Sequence, residues 1–323
     1  MKSVAEAQPN IALVKYWGKR DVGRNLPAVG SLSLTLDALT TRMAVEFTDS
    51  AADDRLTVGG REAPALLERV SACLDRVCGS TRPRAHVEST TNFPIGAGLA
   101  SSASAFAALV TAASSAAGIA RPRLALARLA GEASGSAARS FYDGVVELAP
   151  GTAPANEIEV ASIAGAADWP LRVLVAVTDP GEKALSSGEA MRASAATSPF
   201  YRNWIERQPE DLARARRAVH ERDFAALAEV AEHNCLKMHS LTWTSRPAVV
   251  YWNAATVAAL ETVIRLRRDG LPVFFTMDAG PQVKAICLPV AEREVRSALA
   301  GTPGVREVLA SGLGRGARLV EDA

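Results

Sequence analysis

Residues 92–106 read Asn-Phe-Pro-Ile-Gly-Ala-Gly-Leu-Ala-Ser-Ser-Ala-Ser-Ala-Phe, a short glycine turn running straight into an alanine-rich segment. Alanine and leucine favour helix, so the segment from Leu99 onward is predicted to be helical. A glycine turn that opens into a helix presents free backbone N–H groups at the positive end of the helix dipole, an arrangement that binds phosphate. Glycine lets the backbone approach a ligand closely and adopt positive φ. Ser101 and Ser102 add two hydroxyls in the first turn, within reach of a phosphate oxygen or a phosphate-bound cation. A lone Gly-x-Gly is equally well explained as a bend at a helix entry. Here the glycines, the serine pair and the helical pattern coincide, and an anion site is the reading that uses all of them. The turn lacks the Gly-Lys-Ser/Thr ending of a P-loop. The acidic residue that a dinucleotide fold needs about 20 positions on is replaced by Arg121 and Arg123. A nucleoside triphosphate is the ligand that remains.

Working outward, residues 4–17 alternate loosely and end in LVKYWGKRD, a strand that delivers Lys15, Tyr16, Trp17 and Lys19 to its end. Residues 25–37 (NLPAVGSLSLTLD) set Leu32, Leu34 and Leu36 against Ser31, Ser33 and Thr35, which predicts a half-buried strand with one hydroxyl-lined face. Residues 42–48, 55–58 and 84–90 continue the β pattern, and residues 64–77 carry a helical stripe. Downstream, residues 121–130 read as a helix with Pro122 in its first turn. A small polar run at 131–140 and a strand at 144–148 follow. The acidic, small-residue loop at 153–170 is the domain boundary, dividing the chain into 1–165 and 166–323. A buried strand at 171–178 opens the second part. It then turns mostly helical, at 187–196, 200–206, 210–220, 223–239 and 250–268. Two short strands, 273–277 and 283–288, flank a turn at 278–281, and a helix at 291–299 precedes a terminal strand. Strands and helices without a regular βαβ rhythm predict an α+β fold.

The composition narrows the function classes. The chain has 323 residues, 48% hydrophobic and 22% charged, which is globular material for one large domain or two ordinary ones. A formal net charge of +1 argues against a polyanion-binding surface, so no nucleic-acid partner is expected. No apolar run reaches the roughly 20 residues of a membrane span, and the N-terminus lacks a signal-peptide pattern, so a cytoplasmic protein is expected. Four scattered cysteines without a Cys-x-x-Cys pair read as reduced thiols.

Three further constellations bear on chemistry. Lys15 and Lys19, with Gly18 between them, suit a second anion, or else are a solvated lysine pair. Ser134-Gly-Ser-Ala-Ala-Arg139 offers hydroxyls and a planar guanidinium matched to a carboxylate, or else is a capped helix with a solvated arginine. Asp278 at a strand end before Ala-Gly-Pro is by itself turn chemistry. Taken together, an anion cradle, lysines, an arginine and one carboxylate are what ATP-dependent phosphoryl transfer to a charged small molecule needs.

At this level of detail the chain resembles a known family. Residues 94–103 (PIGAGLASSA) are similar to the phosphate loop of the GHMP kinase superfamily. Asn10-Ile-Ala-Leu-Val-Lys-Tyr-Trp-Gly-Lys-Arg-Asp21, Asn92-Phe-Pro, Ser134-Gly-Ser-Ala-Ala-Arg-Ser140, Ala196-Thr-Ser198 and Met277-Asp-Ala-Gly-Pro281 resemble the diphosphomevalonate decarboxylase branch, in order, over most of the chain. The resemblance implies the GHMP-kinase fold: an N-terminal domain like ribosomal protein S5 domain 2, a C-terminal ferredoxin-like α+β domain, and an active-site cleft between them. It implies conversion of mevalonate 5-diphosphate and ATP to isopentenyl diphosphate, ADP, phosphate and CO2, with Mg²⁺, by a homodimer. Asp278, Lys15 and Arg139 are then the catalytic set: Asp278 faces the 3-hydroxyl, Lys15 holds it ionised, and Arg139 clamps the C1 carboxylate. Tyr16, Lys19, Ser134, Ser136 and Ser198 would bind substrate. Gly96, Ala97, Gly98, Leu99, Ala100, Ser101 and Ser102 would hold the ATP phosphates, with Arg69 towards the nucleotide and Ser101 or Ser102 on the metal. A mevalonate 5-phosphate decarboxylase, a mevalonate 3-kinase and a ligand-sensing regulator are alternatives on the same fold. Three positions depart from the pattern: Asp143 stands for the glycine of many relatives, Gln282 for an asparagine, and Pro199 for a charged side chain.

Overall fold

A computed structural model of the chain describes residues 1–93, 98, 100–151, 157–181 and 185–321. Among these, the strands form a six-stranded sheet, two four-stranded sheets and a two-stranded ribbon. The six-stranded sheet runs, in spatial order, through Arg318–Val320, Lys2–Ala7, Thr41–Thr48, Arg84–Thr91, Arg55–Val58 and Arg61–Glu62. Helix Ser101–Ala116 packs on Lys2–Ala7 and Thr41–Thr48. Its repeated alanines, among them Ala103, Ala107, Ala108, Ala112 and Ala113, are fully buried. They let its backbone lie close against the sheet from its first turn onward.

The second sheet orders Glu159–Ala164, Val145–Ala149, Ser31–Thr35 and Asn10–Val14. One face packs into the cluster that holds the alanine helix, through Val146, Leu148 and Val160. The other, through Ile11, Leu13, Leu32 and Leu34, joins a cluster with Val173, Leu212, Leu227 and Phe274 from the second half of the chain. Ser31–Thr35 is therefore buried on both faces, not half-buried as its alternation predicted. Two of its hydroxyls find partners: Ser31 Oγ accepts from Arg139 and Thr35 Oγ1 donates to the Tyr142 carbonyl at 2.9 Å, while Ser33 Oγ is buried without one. Alternation reports which residues are apolar, and cannot tell water from a polar interior.

The third sheet orders Val273–Thr276, Val283–Cys287, Arg172–Val177 and Glu307–Ser311, antiparallel throughout. Helices Tyr201–Glu221 and Phe224–Trp243 form an adjacent pair that reaches back over the second sheet. Tyr201–Glu221 runs through Pro209 where the sequence predicted a break. Proline forfeits one backbone bond, but Trp204, Gln208, Leu212, Ala215 and Val219 bury one continuous face, and packing outweighs that loss. Three other expectations change. Residues 4–17 form two strands, divided at Gln8 and Pro9. The loop at 153–170 contains the strand Glu159–Ala164, paired with Val145–Ala149. The end of the chain holds two strands, of which Arg318–Val320 pairs with Lys2–Ala7 and so returns to the first sheet. Among the described residues no helix is long and apolar enough to cross a membrane.

Candidate active site

A cleft of about 810 Å³ lies between the two halves of the chain. Lys15, Tyr16, Lys19, Arg69, Gly98, Ala100, Ser101, Ser102, Ser134, Ser136, Arg139 and Asp278 all line it, so residues far apart in sequence are brought to one place. Gly96, Ala97 and Leu99 lie outside the described residues. Ser198 is not brought to the cleft: it ends helix Ser187–Thr197, is buried, and its Oγ lies 2.7 Å from Thr244 Oγ1. The Ala-Thr-Ser string marked a helix end whose hydroxyl is satisfied within the protein.

The floor of the cleft is an ion pair across the seam. Lys15 follows the strand Asn10–Val14, and Asp278 lies two residues past Val273–Thr276. Lys15 Nζ lies 3.0 Å from Asp278 Oδ1, with the lysine side chain 2% and the aspartate 23% exposed. Lys15 Nζ also donates to the Ala12 carbonyl, and Thr276 Oγ1 donates to the same oxygen at 3.1 Å. A second lysine, Lys284, is fully buried with Nζ 3.6 Å from Asp278 Oδ2. Burial alone would raise the Asp278 carboxyl. The charges of Lys15, Lys284 and Arg139, with the Lys15 hydrogen bond, outweigh it and hold the group down at about 2. Asp278 is thus a carboxylate at any neutral pH, and its Oδ2 is buried without a hydrogen-bond partner. Oδ2 is closed to solvent with the Lys284 ammonium 3.6 Å away, and Asp278 meets the cleft through the rest of a side chain that is 23% exposed.

The backbone of Lys15 is gripped from the second half. Its N–H donates to Asn234 Oδ1 at 2.8 Å, and its carbonyl accepts from Gln208 Nε2 at 2.9 Å. Asn234 Nδ2 in turn donates to Gln208 Oε1 at 2.8 Å and Asp211 Oδ2 at 2.6 Å, and Lys237 Nζ pairs with Asp211 Oδ2 at 2.7 Å. Every polar group of the Asn234 amide is used. A closed network of this kind fixes one geometry.

Arg139 lies in the 3-10 turn Ala137–Phe141 and is 2% exposed. Nε donates to Asn10 Oδ1 at 3.1 Å and Nη1 to Ser31 Oγ at 2.8 Å. Asn10 is oriented through its Nδ2, which donates to Ser140 Oγ at 2.7 Å and the Ser136 carbonyl at 3.0 Å. Two guanidinium nitrogens are thus fixed and Nη2 remains for a ligand in the cleft. Burial lowers the guanidinium to about 10, against the raising effects of Asp278 and Tyr16, so it is still a cation at neutrality. Tyr16 stacks its ring 5.8 Å from the Arg139 carbon, and its hydroxyl donates to the Asn25 carbonyl at 3.1 Å. Residue 135 must be glycine for this: a Cβ there would meet the Tyr16 hydroxyl at 2.1 Å.

The opposite wall is the start of helix Ser101–Ala116. Ala100 precedes it with φ of 55°, a left-handed conformation that disfavours any residue with a Cβ, and no side chain caps the helix. In the first turn the Ala103 N–H donates to the Ala100 carbonyl at 2.9 Å. Ser134 Oγ donates to Ser102 Oγ at 3.3 Å, joining this wall to the arginine turn. Arg69 stacks on the Phe106 ring at 5.0 Å. Burial, then the charges of Arg192 and Arg69, pushes the Lys19 ammonium below its usual range. All three cations line the cleft, and their mutual repulsion marks a place for a multiply charged anion. Among the described residues no cluster of His, Cys, Asp and Glu could hold a metal. The serine hydroxyls beside a phosphate site fit Mg²⁺, which takes oxygen ligands and is bound largely through substrate phosphates.

Sequence reasoning missed Lys284, Asn10, Ser31, Arg192 and the Asn234 network as parts of the site. Lys284 had a signal, a lysine inside the apolar strand Val283–Cys287. Asn234, Gln208 and Asp211 had none, because polar residues on long helices read as solvent-facing until a partner buries them.

Comparison with known proteins follows the same division. The family model for the diphosphomevalonate decarboxylase-like N-terminal domain matches residues 7–161, and that for the mevalonate 5-diphosphate decarboxylase C-terminal domain matches residues 173–302. The diphosphomevalonate decarboxylase of Homo sapiens is 34% identical over 298 residues, covering 85% of this chain and 74% of its own. The solved mevalonate diphosphate decarboxylase of Staphylococcus aureus superposes with a TM-score of 0.92 at 32% identity, covering 99% of this chain and 98% of its own. A structure of MDDEF in complex with MVAPP, AMPPCP and magnesium superposes with a TM-score of 0.91 at 33% identity, covering 100% of this chain and 99% of its own.

Proposed function

The chain belongs to the diphosphomevalonate decarboxylase family, and from that premise we propose that it converts mevalonate 5-diphosphate and ATP to isopentenyl diphosphate, ADP, phosphate and CO2. The observation that carries this reading is Asp278: an ionised carboxylate on the floor of the cleft, with Lys15 and Arg139 beside it and the buried Lys284 behind it.

The substrate's tertiary 3-hydroxyl is a poor leaving group and must become a phosphate ester before C1–C2 cleavage. The Asp278 carboxylate accepts the hydrogen bond of that hydroxyl at the cleft and aims the hydroxyl oxygen at the phosphoryl donor. Held at about 2, Asp278 is a weak base in the free enzyme, so the proton moves only as phosphorylation makes the hydroxyl strongly acidic. Lys15 and Lys284 stay beside Asp278 and keep its charge in place. Arg139 Nη2 binds the C1 carboxylate, holding it where its electrons can leave into C2 as the C3–oxygen bond breaks. Asp278, held at about 2, passes the proton on to the departing phosphate, and positive charge developing at C3 is then met by the restored carboxylate across a preorganised site. Lys19, Arg192, Tyr16, Ser134 and Ser136 receive the 5-diphosphate. The uncapped helix start at Ala100–Ser102 binds the nucleotide phosphates, and Ser101 or Ser102 would hold Mg²⁺, which supplies charge neutralisation at those phosphates when bound. With Ser198 engaged by Thr244, Arg192 takes the second-phosphate role.

Homodimeric assembly in the cytoplasm and a division into domains 1–165 and 166–323 complete the proposal; light scattering and limited proteolysis test the assembly and the division. The activity is tested by measuring CO2 and ADP with mevalonate, its 5-phosphate and its 5-diphosphate in parallel. CO2 and ADP in equal amounts from the diphosphate are expected. ADP without CO2 would make the chain a 3-kinase, and turnover of the monophosphate alone would change the substrate.

A further inference from the structure

Lys284 is the one charged residue in the strand Val283–Cys287, and it is fully buried. Its neighbours Val283, Ala285 and Cys287 belong to the core beneath the third sheet. Ile286, two residues on and therefore on the same face as Lys284, belongs to the core that spans the seam. The lysine stem thus crosses the seam, and its ammonium meets two things there. Nζ donates to the Gly98 carbonyl at 3.0 Å and lies 3.6 Å from Asp278 Oδ2. The same two segments touch again through backbone: Gly98 has φ of 78°, and a Cβ on it would stand 3.1 Å from Gly280 Cα. The phosphate-loop glycine is therefore packed on the turn that carries the catalytic carboxylate.

We propose that Lys284 is a positioning residue that couples the nucleotide loop to the catalytic acid, one ammonium holding the Gly98 carbonyl and the buried Oδ2 edge of Asp278 together. A lysine with a single partner would leave one of them uncompensated in the interior. Held between both, it sets loop and acid by the same group, so a shift of either is felt by the other. The idea rests on the decarboxylase reading for the role of Asp278, while the loop contact stands on geometry alone.

The test uses Lys284→Met, Lys284→Arg and, as a packing control, Ile286→Val in the full chain. Calorimetric titration with AMPPCP and Mg²⁺ reads the loop. Lys284→Met is expected to weaken binding about tenfold, the effect of one charge-assisted hydrogen bond, and Lys284→Arg to recover most of it. Ile286→Val lowers thermal stability and leaves the affinity unchanged. With substrate, Lys284→Met lowers kcat more than it raises the KM of mevalonate 5-diphosphate. It also moves the acidic limb of kcat/KM to higher pH, since Asp278 then faces only Lys15 and Arg139. Burial keeps the Cys235 thiol protonated through this range; His239, pushed down to about 3 by burial and by the charges of Lys15 and Lys284, moves the same way in this variant, so the limb is read in a His239→Gln background. A folded Lys284→Met chain with AMPPCP affinity within twofold of wild type and an unmoved acidic limb overturns the proposal. A wild-type chain that binds AMPPCP and forms no CO2 sinks the decarboxylase reading instead, and the affinity of Lys284→Met still decides the coupling.

Discussion

Replacing Asp278 with asparagine removes one negative charge from among three cations while keeping the side chain's size. In the unfolded chain this carboxyl titrates near 3.9, and in the folded protein it is held at about 2. A depressed carboxyl stabilises the fold above its unfolded value and loses that contribution as pH falls through the folded one. The difference amounts to roughly 2–3 kcal/mol at pH 7. Asp278→Asn should therefore lower the thermal midpoint by roughly 5 °C at neutrality, and the gap from wild type should close between about pH 4 and pH 2. The kinetic effect is separate and larger. Loss of the group that takes the hydroxyl proton costs about 10²- to 10⁴-fold in kcat. The KM of mevalonate 5-diphosphate should not rise, because the cleft becomes more positive and its ligand is an anion. Steady-state CO2 release at saturating ATP, paired with thermal scans at pH 7 and pH 3, measures both. A kcat within threefold of wild type removes Asp278 from the chemistry. A tenfold rise in KM with kcat intact would make it a binding residue.

Other expectations follow from the same geometry. Asn234→Ala leaves the Lys15 N–H, Gln208 and Asp211 without their buried partner. It should cost about 3 kcal/mol in urea unfolding and lower kcat with little change in either KM, whereas an equal loss of stability at full kcat would show that the network does not position Lys15. Arg139→Lys keeps the charge but cannot hold Asn10 and Ser31 while reaching the cleft; kcat/KM should fall about 100-fold, and a lysine variant within fivefold of wild type would mean that charge alone suffices. Gly135→Ala places a methyl 2.1 Å from the Tyr16 hydroxyl. It should raise the substrate KM and leave AMPPCP binding unchanged, and a crystal structure with Tyr16 unmoved would refute the steric account.

The parts of the site that were legible in the sequence are those whose chemistry is local. A glycine turn before a helix shows its function in a few consecutive residues, and the α+β class follows from strands and helices that alternate without a crossover rhythm. Lys15, Arg139 and Asp278 were named because short strings around them resemble a family, and the fold brings all three to one cleft. What was not legible depends on which groups are buried together. Ser31 and Thr35 alternate with leucines as solvent-facing residues would, and the alanine-helix core covers them on the face they share with Val146 and Leu148. Pro209 reads as a helix end, and one continuous buried face carries the helix through it. Ser198 sat in a familiar string, yet its hydroxyl is turned to Thr244. Burial is a property of the pair of surfaces, and one segment's pattern holds only half of it.

The arrangement also explains why the chemistry sits at the seam. Two domains joined by a small polar interface would be expected to swing, and a carboxylate from one and lysines from both could not keep 3 Å contacts through such motion. Here the seam is core: Ile11, Leu13 and Leu34 pack with Val173, Leu212 and Phe274, all buried. The strand Arg318–Val320 closes the chain back onto Lys2–Ala7, and the Asn234 network clamps the Lys15 backbone from the second half. A buried ion pair rarely adds net stability, because desolvating both charges offsets their attraction. The apolar surface around Lys15 and Asp278 supplies that stability, which frees the pair to be placed for reaction. The same packing that makes the two halves one body holds Asp278 ionised, seats Lys284 behind it, and leaves Lys15 and Arg139 lining the cleft beside it.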